Sequence, residues 1–322
     1  MAPPKRDFPV ENMRIAVLIP CYNEEATIAS VVADFRKALP EAQIFVCDNN
    51  SSDETAGRAE AAGATVSREL WQGKGNAVRR MFADIEADAY VLVDGDGTYD
   101  AASARGLVDL LFEKGLDMVN ASRVETSTQA YRTGHRLGNR MLTGMVTRVF
   151  GRRLSDLLSG YRVFSRRFVK SFPSMASGFE IETELTVHAL RLRMPIAEVA
   201  APYRERPPGS ASKLQTYPDG FRILRTIVVL IKEERPLSFF TTMFAILAGT
   251  SLVLGWPLVT EYLETGLVPR FPTAILATGL MMLAFLSLTS GLILDTVTRG
   301  RRELKRLQYL QIPMRPPQRP DR

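Results

Sequence analysis

Two acidic residues follow one of the most apolar stretches of the chain and are separated by a single glycine. Residues 90–93 run directly into Asp94, Gly95 and Asp96. Carboxylates this close repel each other and raise each other's pKa unless a positive group lies between them. The pair therefore indicates either a Mg²⁺ or Mn²⁺ site, completed by phosphate oxygens of a substrate, or a turn whose carboxylates face water.

The segments around this pair predict an α/β domain. Short apolar strands alternate with amphipathic helices from residue 14 to about 165, and this order predicts a largely parallel sheet with helices on both faces. Asn23 is predicted to cap the first helix, and Ser51 with Glu54 to form a capping box for the second. The predicted strands cover 15–20, 43–48, 64–68, 90–94 and 117–123.

Polar residues collect where these strands end. In parallel sheets, ligands bind beyond the carboxyl ends of the strands, so this context favours a cation site over a surface turn at Asp94 and Asp96. The residues that share such positions are Pro20, Tyr22, Glu24, Asp48, Asp94, Asp96 and Arg123.

Composition narrows the class of protein. The chain has 322 residues and a formal net charge of +6, which favours anionic partners such as phosphorylated ligands or anionic lipids. Its two cysteines, Cys21 and Cys47, lie in apolar runs, which predicts a reducing compartment without a disulfide framework or zinc site. The N-terminal residues lack the apolar segment of a signal peptide. No base-stacking aromatic platform accompanies the charge, so nucleic acid is not an expected partner.

Two long stretches near the C-terminus contain no charged residue. They cover 236–260 and 271–294, and each exceeds the roughly 20 residues that a helix needs to cross a bilayer. A buried helical hairpin of a soluble protein is the alternative. Basic residues flank the pair on its outer sides, whereas the link 261–270 carries two acids and one base. The positive-inside rule therefore predicts that both termini and the α/β domain are cytoplasmic.

These features predict a domain organisation along the chain. A short extension (1–13) precedes a catalytic domain (14–220), and a transmembrane hairpin (236–298) precedes a basic tail (299–322). Between them, residues 221–235 mix apolar and basic side chains, as in a helix at a membrane surface or an ordinary packed helix.

Five motifs connect this organisation with a known family. In chain order they are VLIPCYNEEATI, DNNSSDET, QGKGNAVR, VDGDGTYD and LSGYRVFSR. Together they resemble family 2 glycosyltransferases with the Rossmann-like type A fold, over about residues 13–235. Within that family, the chain is most similar to the polyprenyl-phosphate branch, which contains the relatives of dolichol-phosphate mannose synthase. The two spans are similar to those of the bacterial undecaprenyl-phosphate enzymes, which implies a multi-pass protein of the bacterial inner membrane and self-association through those helices.

The resemblance implies roles on the donor side. It assigns nucleotide-sugar contacts to Pro20, Tyr22, Glu24, Asp48 and Lys74, and Mg²⁺ or Mn²⁺ ligation to Asp94 and Asp96. A UDP-sugar is favoured over a GDP-sugar. Asp48 and Lys74 also suit simpler roles, in a turn hydrogen bond and a glycine-rich turn. The chain departs from the family at Asn49, where Asp is frequent, and at Thr98, where Gln or His is frequent. The contacts at these two positions therefore stay open.

The resemblance also implies an acceptor side. A lipid phosphate is its own nucleophile and needs a cationic cradle, to which the planar fork of arginine is suited. The candidates are Arg123, Arg136 and Arg162, with Asn139 orienting Arg136 and with Asp156 holding either an arginine or a sugar hydroxyl. A loop containing Arg206, Ser212 and Lys213 resembles a segment that closes over the donor, although contact with the membrane suits it equally. Glu180, Glu182 and Glu184 are expected to face water or to pair with arginines, and His188 to be packed or solvated.

The expected activity is inverting transfer of one hexose or hexuronic acid from a nucleotide sugar to polyprenyl phosphate. The product would supply sugar for an envelope glycan or lipopolysaccharide. Two alternatives are a processive polysaccharide synthase and a non-catalytic membrane module that binds nucleotide sugar. The former typically has a Gln-x-x-Arg-Trp segment, and neither Trp71 nor Trp256 follows an arginine.

Overall fold

The computed structural model describes residues 13–125, 155–173, 180–204 and 235–313, together with a few single residues. The chain divides into two compact units, and each is described by itself. The first comprises residues 1–221 with 305–322, and the second comprises residues 222–304.

The first unit is built on one mixed sheet of seven strands. The strand order is β3-β2-β1-β4-β6-β5-β7. Neighbours from β3 to β4 are parallel, whereas β6 runs antiparallel to both β4 and β5, and β7 is parallel to β5. The strands are β1 (Ile15–Cys21), β2 (Gln43–Asp48), β3 (Thr65–Arg68), β4 (Ala89–Leu92), β5 (Met118–Glu125), β6 (Arg162–Ser165) and β7 (Ile196–Tyr203). This confirms the predicted α/β sheet, but none of the five predicted strands corresponds to β6 or β7.

Helices cover the sheet and enclose two apolar cores. One core packs Val17 and Ile19 of β1 with Phe35, and the other packs Leu18 with Phe82 and Phe164. Because successive strand residues point to opposite faces, one strand supplies both cores. The helices are α1 (Ile28–Ala38), α2 (Thr55–Ala61), α3 (Lys74–Asp84), α4 (Ala104–Glu113), α5 (Arg166–Ser171) and α6 (Ile181–Arg191).

The two predicted helix caps are wrong, because their side chains join the two loops to each other. Asn23 has a positive φ of 52°, and its Oδ1 accepts a hydrogen bond from the N–H of Ser52. The hydroxyl of Ser51 accepts the N–H of Asn23 at 2.9 Å. The loops after β1 and β2 are therefore fastened together at the carboxyl edge of the sheet.

A short C-terminal segment completes the first unit. Tyr309 is 5% exposed and packs in the core that contains Phe82. Its hydroxyl donates to Asp117 at 2.7 Å, and Asp117 also accepts hydrogen bonds from Ser165 and Arg167. The side chain of Asp117 is fully buried, and these donors compensate for the loss of water around its carboxylate.

The second unit contains two long apolar helices, α7 (Pro236–Thr265) and α8 (Phe271–Gln311), the latter continuing beyond this unit from Lys305. Both are long and apolar enough to cross a membrane. They pack against each other: Ser251 donates to the carbonyl of Ala277, and the Phe244 and Phe285 rings lie 5.5 Å apart. Only 6% and 17% of their apolar segments are buried, whereas the helices of a soluble core would be mostly covered. Their exposed apolar surface therefore suggests membrane association.

Candidate active site

The acidic pair lies just beyond β4, in the position that its strand predicts. Asp94 is two residues past Leu92, the last residue of β4, and its side chain is 28% exposed. Asp96 is buried, and its Oδ1 accepts the N–H and the hydroxyl of Thr98 at 3.2 and 2.6 Å. Thr98, one of the two departures from the family pattern, therefore orients Asp96.

Glycines give this turn its shape. A Cβ on Gly95 would lie 2.5 Å from Sγ of the buried Cys21, and a Cβ on Gly160 would overlap a carboxylate oxygen of Asp94. Side chains at either position would displace their neighbours. Gly160 belongs to the LSGYRVFSR motif. A glycine is required there because the carboxylate of Asp94, which is distant in the sequence, occupies the space of a side chain.

Lys74 places a positive group beside Asp94, one member of the acidic pair. It is the first residue of α3, directly after Gly73, whose φ is 135°. Its Nζ lies 2.5 Å from Asp94 Oδ1 and 2.5 Å from Glu182 Oε1. Burial by itself lowers the pKa of Lys74, but the two carboxylates outweigh it and hold the pKa well above its usual range. Lys74 is therefore a cation in this structure.

Asn49 holds the loop that leads to Lys74. Its Nδ2 donates to the carbonyls of Glu69 and Trp71 at 3.2 and 2.8 Å, and its Oδ1 accepts the N–H of Gly73 at 2.6 Å. An aspartate accepts hydrogen bonds but donates none when ionised. The second departure from the family pattern therefore has a structural reason.

The residues assigned to the nucleotide gather at the same edge. Pro20 is buried within β1, and Tyr22 follows that strand half-buried. Glu24 is buried, and its N–H donates to Thr55 Oγ1 at 2.8 Å. Asp48 ends β2, and its Oδ1 accepts the N–H of Ser51 at 3.1 Å. The simpler role considered for Asp48, a hydrogen bond within a turn, is therefore present. This bond uses one of the two carboxylate oxygens of Asp48.

A second charged group lies at the end of β5. The Nε and Nη2 of Arg123 donate to the two oxygens of Asp156 at 2.7 and 2.8 Å. Although burial raises the pKa of Asp156, hydrogen bonds and charge from Arg123 bring it below its usual range. The guanidinium also lies 5.5 Å from the centre of the Tyr203 ring. The sequence left an arginine or a sugar hydroxyl as the partner of Asp156, and the structure shows that Arg123 is its partner.

Tyr203 links the two charged groups. The Arg123 guanidinium lies over its ring, and burial raises the pKa of its hydroxyl. Its ring lies 5.3 Å from that of Tyr99, whose hydroxyl accepts the N–H of Gly160 at 2.8 Å. The acidic pair and Arg123 therefore border one site rather than two.

Arg162 does not belong to this site as an anion-binding group, which corrects its assignment to the acceptor cradle. It is fully buried, and its guanidinium donates to the carbonyls of Leu157 and Ser159 and to Thr186 Oγ1, at 2.6, 2.9 and 2.7 Å. The GYR motif places it at the start of β6, where the side chain points into the protein. Its donors support the segment that carries Asp156.

Comparisons with known proteins identify the family of this chain. Residues 16–172 match the family described as "Glycosyl transferase family 2". Glycosyltransferase AglJ of Haloferax volcanii is 33% identical over 303 residues, covering 92% of this chain and 98% of that protein. The chain belongs to glycosyltransferase family 2.

A further relative and a solved structure are also similar to this chain. The dolichyl-phosphate hexose transferase of H. volcanii is 29% identical, covering 69% of this chain and 95% of that protein. The structure of glucosyl-3-phosphoglycerate synthase from Mycobacterium tuberculosis, in complex with Mn²⁺ and UDP-glucose, has a TM-score of 0.55 at 25% identity. It covers 69% of this chain and 79% of that one. The type A glycosyltransferase fold is thereby confirmed.

The residues of this family 2 protein fit a divalent cation that is completed by its substrate. Among the described residues, no three acidic, histidine or cysteine side chains form a cluster suited to a metal ion. Mg²⁺ commonly uses one or two protein carboxylates and takes its other ligands from phosphates and water. The partly exposed Asp94 and the held Asp96 match that requirement.

Five predicted site residues lie outside the described residues: Arg136, Asn139, Arg206, Ser212 and Lys213. His188 is packed, which is one of its two expected environments, and its ring makes T-shaped contacts with the rings of Phe168 and Phe172. The motifs of the sequence did not assign Glu182 to the site. It is 5% exposed in the first turn of α6, a helix buried on almost every side, and an acidic residue in such a helix requires a partner.

Proposed function

We propose that this family 2 glycosyltransferase moves one sugar from a nucleotide-sugar donor, preferably a UDP-sugar, to polyprenyl phosphate. The observation that carries the proposal is a single site with two charged groups: Asp94, Asp96 and Lys74 form one, and Arg123 forms the other. Contacts through Tyr203, Tyr99 and Gly160 join them. The first group suits a metal-bound diphosphate and the second a phosphate acceptor. The dolichyl-phosphate hexose transferase among the relatives supports this acceptor class.

The donor side explains how the leaving group is stabilised. Asp94 and Asp96 would hold Mg²⁺ or Mn²⁺, which when bound neutralises charge that develops on the departing diphosphate. Lys74 places a further positive charge next to Asp94. Pro20, Tyr22, Glu24 and Asp48 would border the nucleotide, since they follow β1 and β2 at the same edge.

The acceptor side needs no strong general base. A phosphate monoester is ionised at neutral pH, so its oxygen attacks the anomeric carbon directly and the configuration inverts. Arg123 would orient that phosphate, and Asp156 holds Arg123 in place. We assign the same role to Arg136, with Asn139 beside it. Closure over the donor is assigned to the loop containing Arg206, Ser212 and Lys213.

Two helices that span a membrane would give such an enzyme access to its acceptor. A polyprenyl tail lies in the bilayer while its phosphate lies at the surface, so an anchored enzyme meets both parts. We assign the protein to the bacterial inner membrane as a two-span protein with cytoplasmic termini, where the product supplies sugar for an envelope glycan or lipopolysaccharide. Self-association through the apolar helices is part of the same proposal.

A mass-spectrometric assay tests the proposed reaction. Detergent-solubilised full chain is mixed with Mn²⁺ or Mg²⁺, polyprenyl phosphate and one nucleotide sugar at a time, with 3-phosphoglycerate as the competing acceptor. A metal-dependent polyprenyl-phosphate sugar, absent with Asp96→Asn, is the expected product. Transfer to phosphoglycerate alone would contradict the lipid acceptor, and a polymer would indicate a processive synthase. Donor binding without any transfer would favour a non-catalytic module.

A further inference from the structure

Lys74 is shared by two carboxylates that differ in their surroundings. Asp94 is 28% exposed at its side chain, whereas Glu182 is 6% exposed and Lys74 itself is 10% exposed. Both carboxylates lie at 2.5 Å from the same Nζ. Asp94 is thus the partner that a ligand can reach, and Glu182 is the partner that stays covered.

Glu182 also has an unused acceptor atom. Its Oε2 is buried and accepts no hydrogen bond in the described part of the chain. A buried carboxylate oxygen without a donor is costly, so Glu182 relies on the charge of Lys74 more than Asp94 does. Its backbone is fixed as well, because Thr186 Oγ1 donates to the carbonyl of Glu182 at 3.1 Å.

The ionised side chains around Lys74 include more negative than positive charges. Lys74 contributes one positive charge, whereas Asp94, Asp96 and Glu182 contribute three negative charges. A divalent ion at Asp94 and Asp96 would bring the group to neutrality. In such a state the ion and the ammonium both attract Asp94, and Lys74 needs another carboxylate to remain at the site.

We propose that Glu182 is a positioning residue that retains Lys74 at the donor site when Asp94 turns to the metal ion. This inference rests on the proposed function, since it assumes that Asp94 and Asp96 hold that ion. Without the charge of Glu182, the ammonium depends on Asp94 alone and competes with the ion for it. Glu182 therefore acts on metal affinity through Lys74 rather than by touching the ion.

Mn²⁺ binding to the full chain in detergent tests the proposal without any turnover. Free Mn²⁺ is measured by electron paramagnetic resonance for the wild type, Glu182→Gln, Lys74→Met and the double variant. Glu182→Gln is expected to weaken Mn²⁺ binding about tenfold, in the range of couplings between contacting charged groups. Lys74→Met removes the competitor and is expected to tighten binding. Glu184→Gln makes the same chemical change on the same helix and is expected to leave binding unchanged.

The double variant separates an effect through Lys74 from a direct one. If Glu182 acts through Lys74, the double variant should bind Mn²⁺ within about twofold of Lys74→Met, because no ammonium remains to compete with the ion. An equal weakening in both backgrounds would mean that Glu182 attracts the ion directly, and would overturn the proposal. So would a Glu182→Gln variant that melts at a lower temperature but binds Mn²⁺ like the wild type. If the wild type itself binds no Mn²⁺, with or without UDP-glucose, the proposed metal-dependent function fails too.

Discussion

Arg123 and Asp156 form a two-point ion pair, with nitrogen–oxygen distances of 2.7 and 2.8 Å. The side chains are 14% and 9% exposed, so solvent screens the pair little. Glu198 fixes the segment under it by accepting the N–H of Ser155 at 2.7 Å. Asn120 donates to both Glu198 and the carbonyl of Asp156, at 2.9 and 2.8 Å. The position of the guanidinium is therefore determined by a network rather than by one contact.

Arg123→Lys tests whether this fixed geometry serves the acceptor. Lysine keeps the charge but cannot make the planar two-point contact. We expect kcat/KM for the phosphate acceptor to fall about ten- to a hundredfold, as for a lost hydrogen bond to a charged group. The KM for the nucleotide sugar should change little. Arg105→Lys, which alters an exposed pair with Glu41, is the matched control. A donor KM that rises with an unchanged acceptor response would place Arg123 on the nucleotide side.

Asn49→Asp should loosen the loop that carries Trp71 and Gly73. The aspartate loses two donated hydrogen bonds and leaves the carbonyls of Glu69 and Trp71 without that partner. We expect the free energy of unfolding to fall by about 1–3 kcal/mol and the KM for the donor to rise, because Lys74 follows this loop. Denaturant unfolding and donor kinetics measure the two effects. Asn50→Asp, at an exposed position with φ of 66°, should change neither. Unchanged stability of Asn49→Asp would show that the loop does not depend on this amide.

Local sequence patterns predict the half of the sheet in which strands and helices alternate along the chain. The run 15–20 and the helical spacing from Ile28 to Leu39 depend on near neighbours, so both elements appear where expected. β6 has only four residues and β7 is an edge strand that is mostly half-buried, so neither shows a long apolar alternation. Their pairing with β5 depends on contacts between distant parts of the chain, which periodicity does not record.

The residues of the candidate site also divide into those that local motifs predict and those that depend on contacts between distant parts of the chain. The types and positions of Asp94, Asp96 and Lys74 follow from motifs, but the partner of Lys74 on α6 lies 108 residues away. Arg162 shows the reverse case, because a motif gives its position but not the direction of its side chain. Only the antiparallel pairing of β6 between β4 and β5 buries it.

Arg162→Met should therefore destabilise the fold rather than weaken acceptor binding. Burial lowers the pKa of Arg162, and its donors satisfy the carbonyls of Leu157 and Ser159. Each buried acceptor left unpaired costs about 1–3 kcal/mol, so we expect a loss of about 2–6 kcal/mol in denaturant unfolding. The acceptor KM of the folded fraction should stay within about twofold, since that fraction keeps Arg123 in place.

Arg166→Met is the control for this change. Arg166 is four residues further along, and it pairs with Glu86, whose side chain is 50% exposed. A pair of this kind contributes little, about 0–1 kcal/mol. A stable Arg162→Met protein with a much higher acceptor KM would return Arg162 to the phosphate cradle.

His188 makes stability depend on pH. Burial, with smaller effects of Lys305 and Arg191, lowers the pKa of His188 from 6.5 to about 3, and Ser171 Oγ lies 3.2 Å from its Nε2. Between these two values the unfolded chain binds a proton that the folded chain does not. Stability from this residue is thus complete above pH 6.5 and falls as the pH decreases towards 3, by about 1.4 kcal/mol per pH unit.

His188→Gln should remove this dependence, because glutamine does not titrate yet can still bond to Ser171. From pH 7.5 to pH 5 we expect the wild type to lose about 2 kcal/mol more unfolding free energy than the variant. Thermal or denaturant unfolding of the full chain in detergent at the two pH values measures the difference. The chain has two histidines, and His135 is the same in both proteins, so the difference between their slopes reports His188. Equal slopes for wild type and His188→Gln would mean that His188 is protonated in the folded protein despite its contacts with the rings of Phe168 and Phe172.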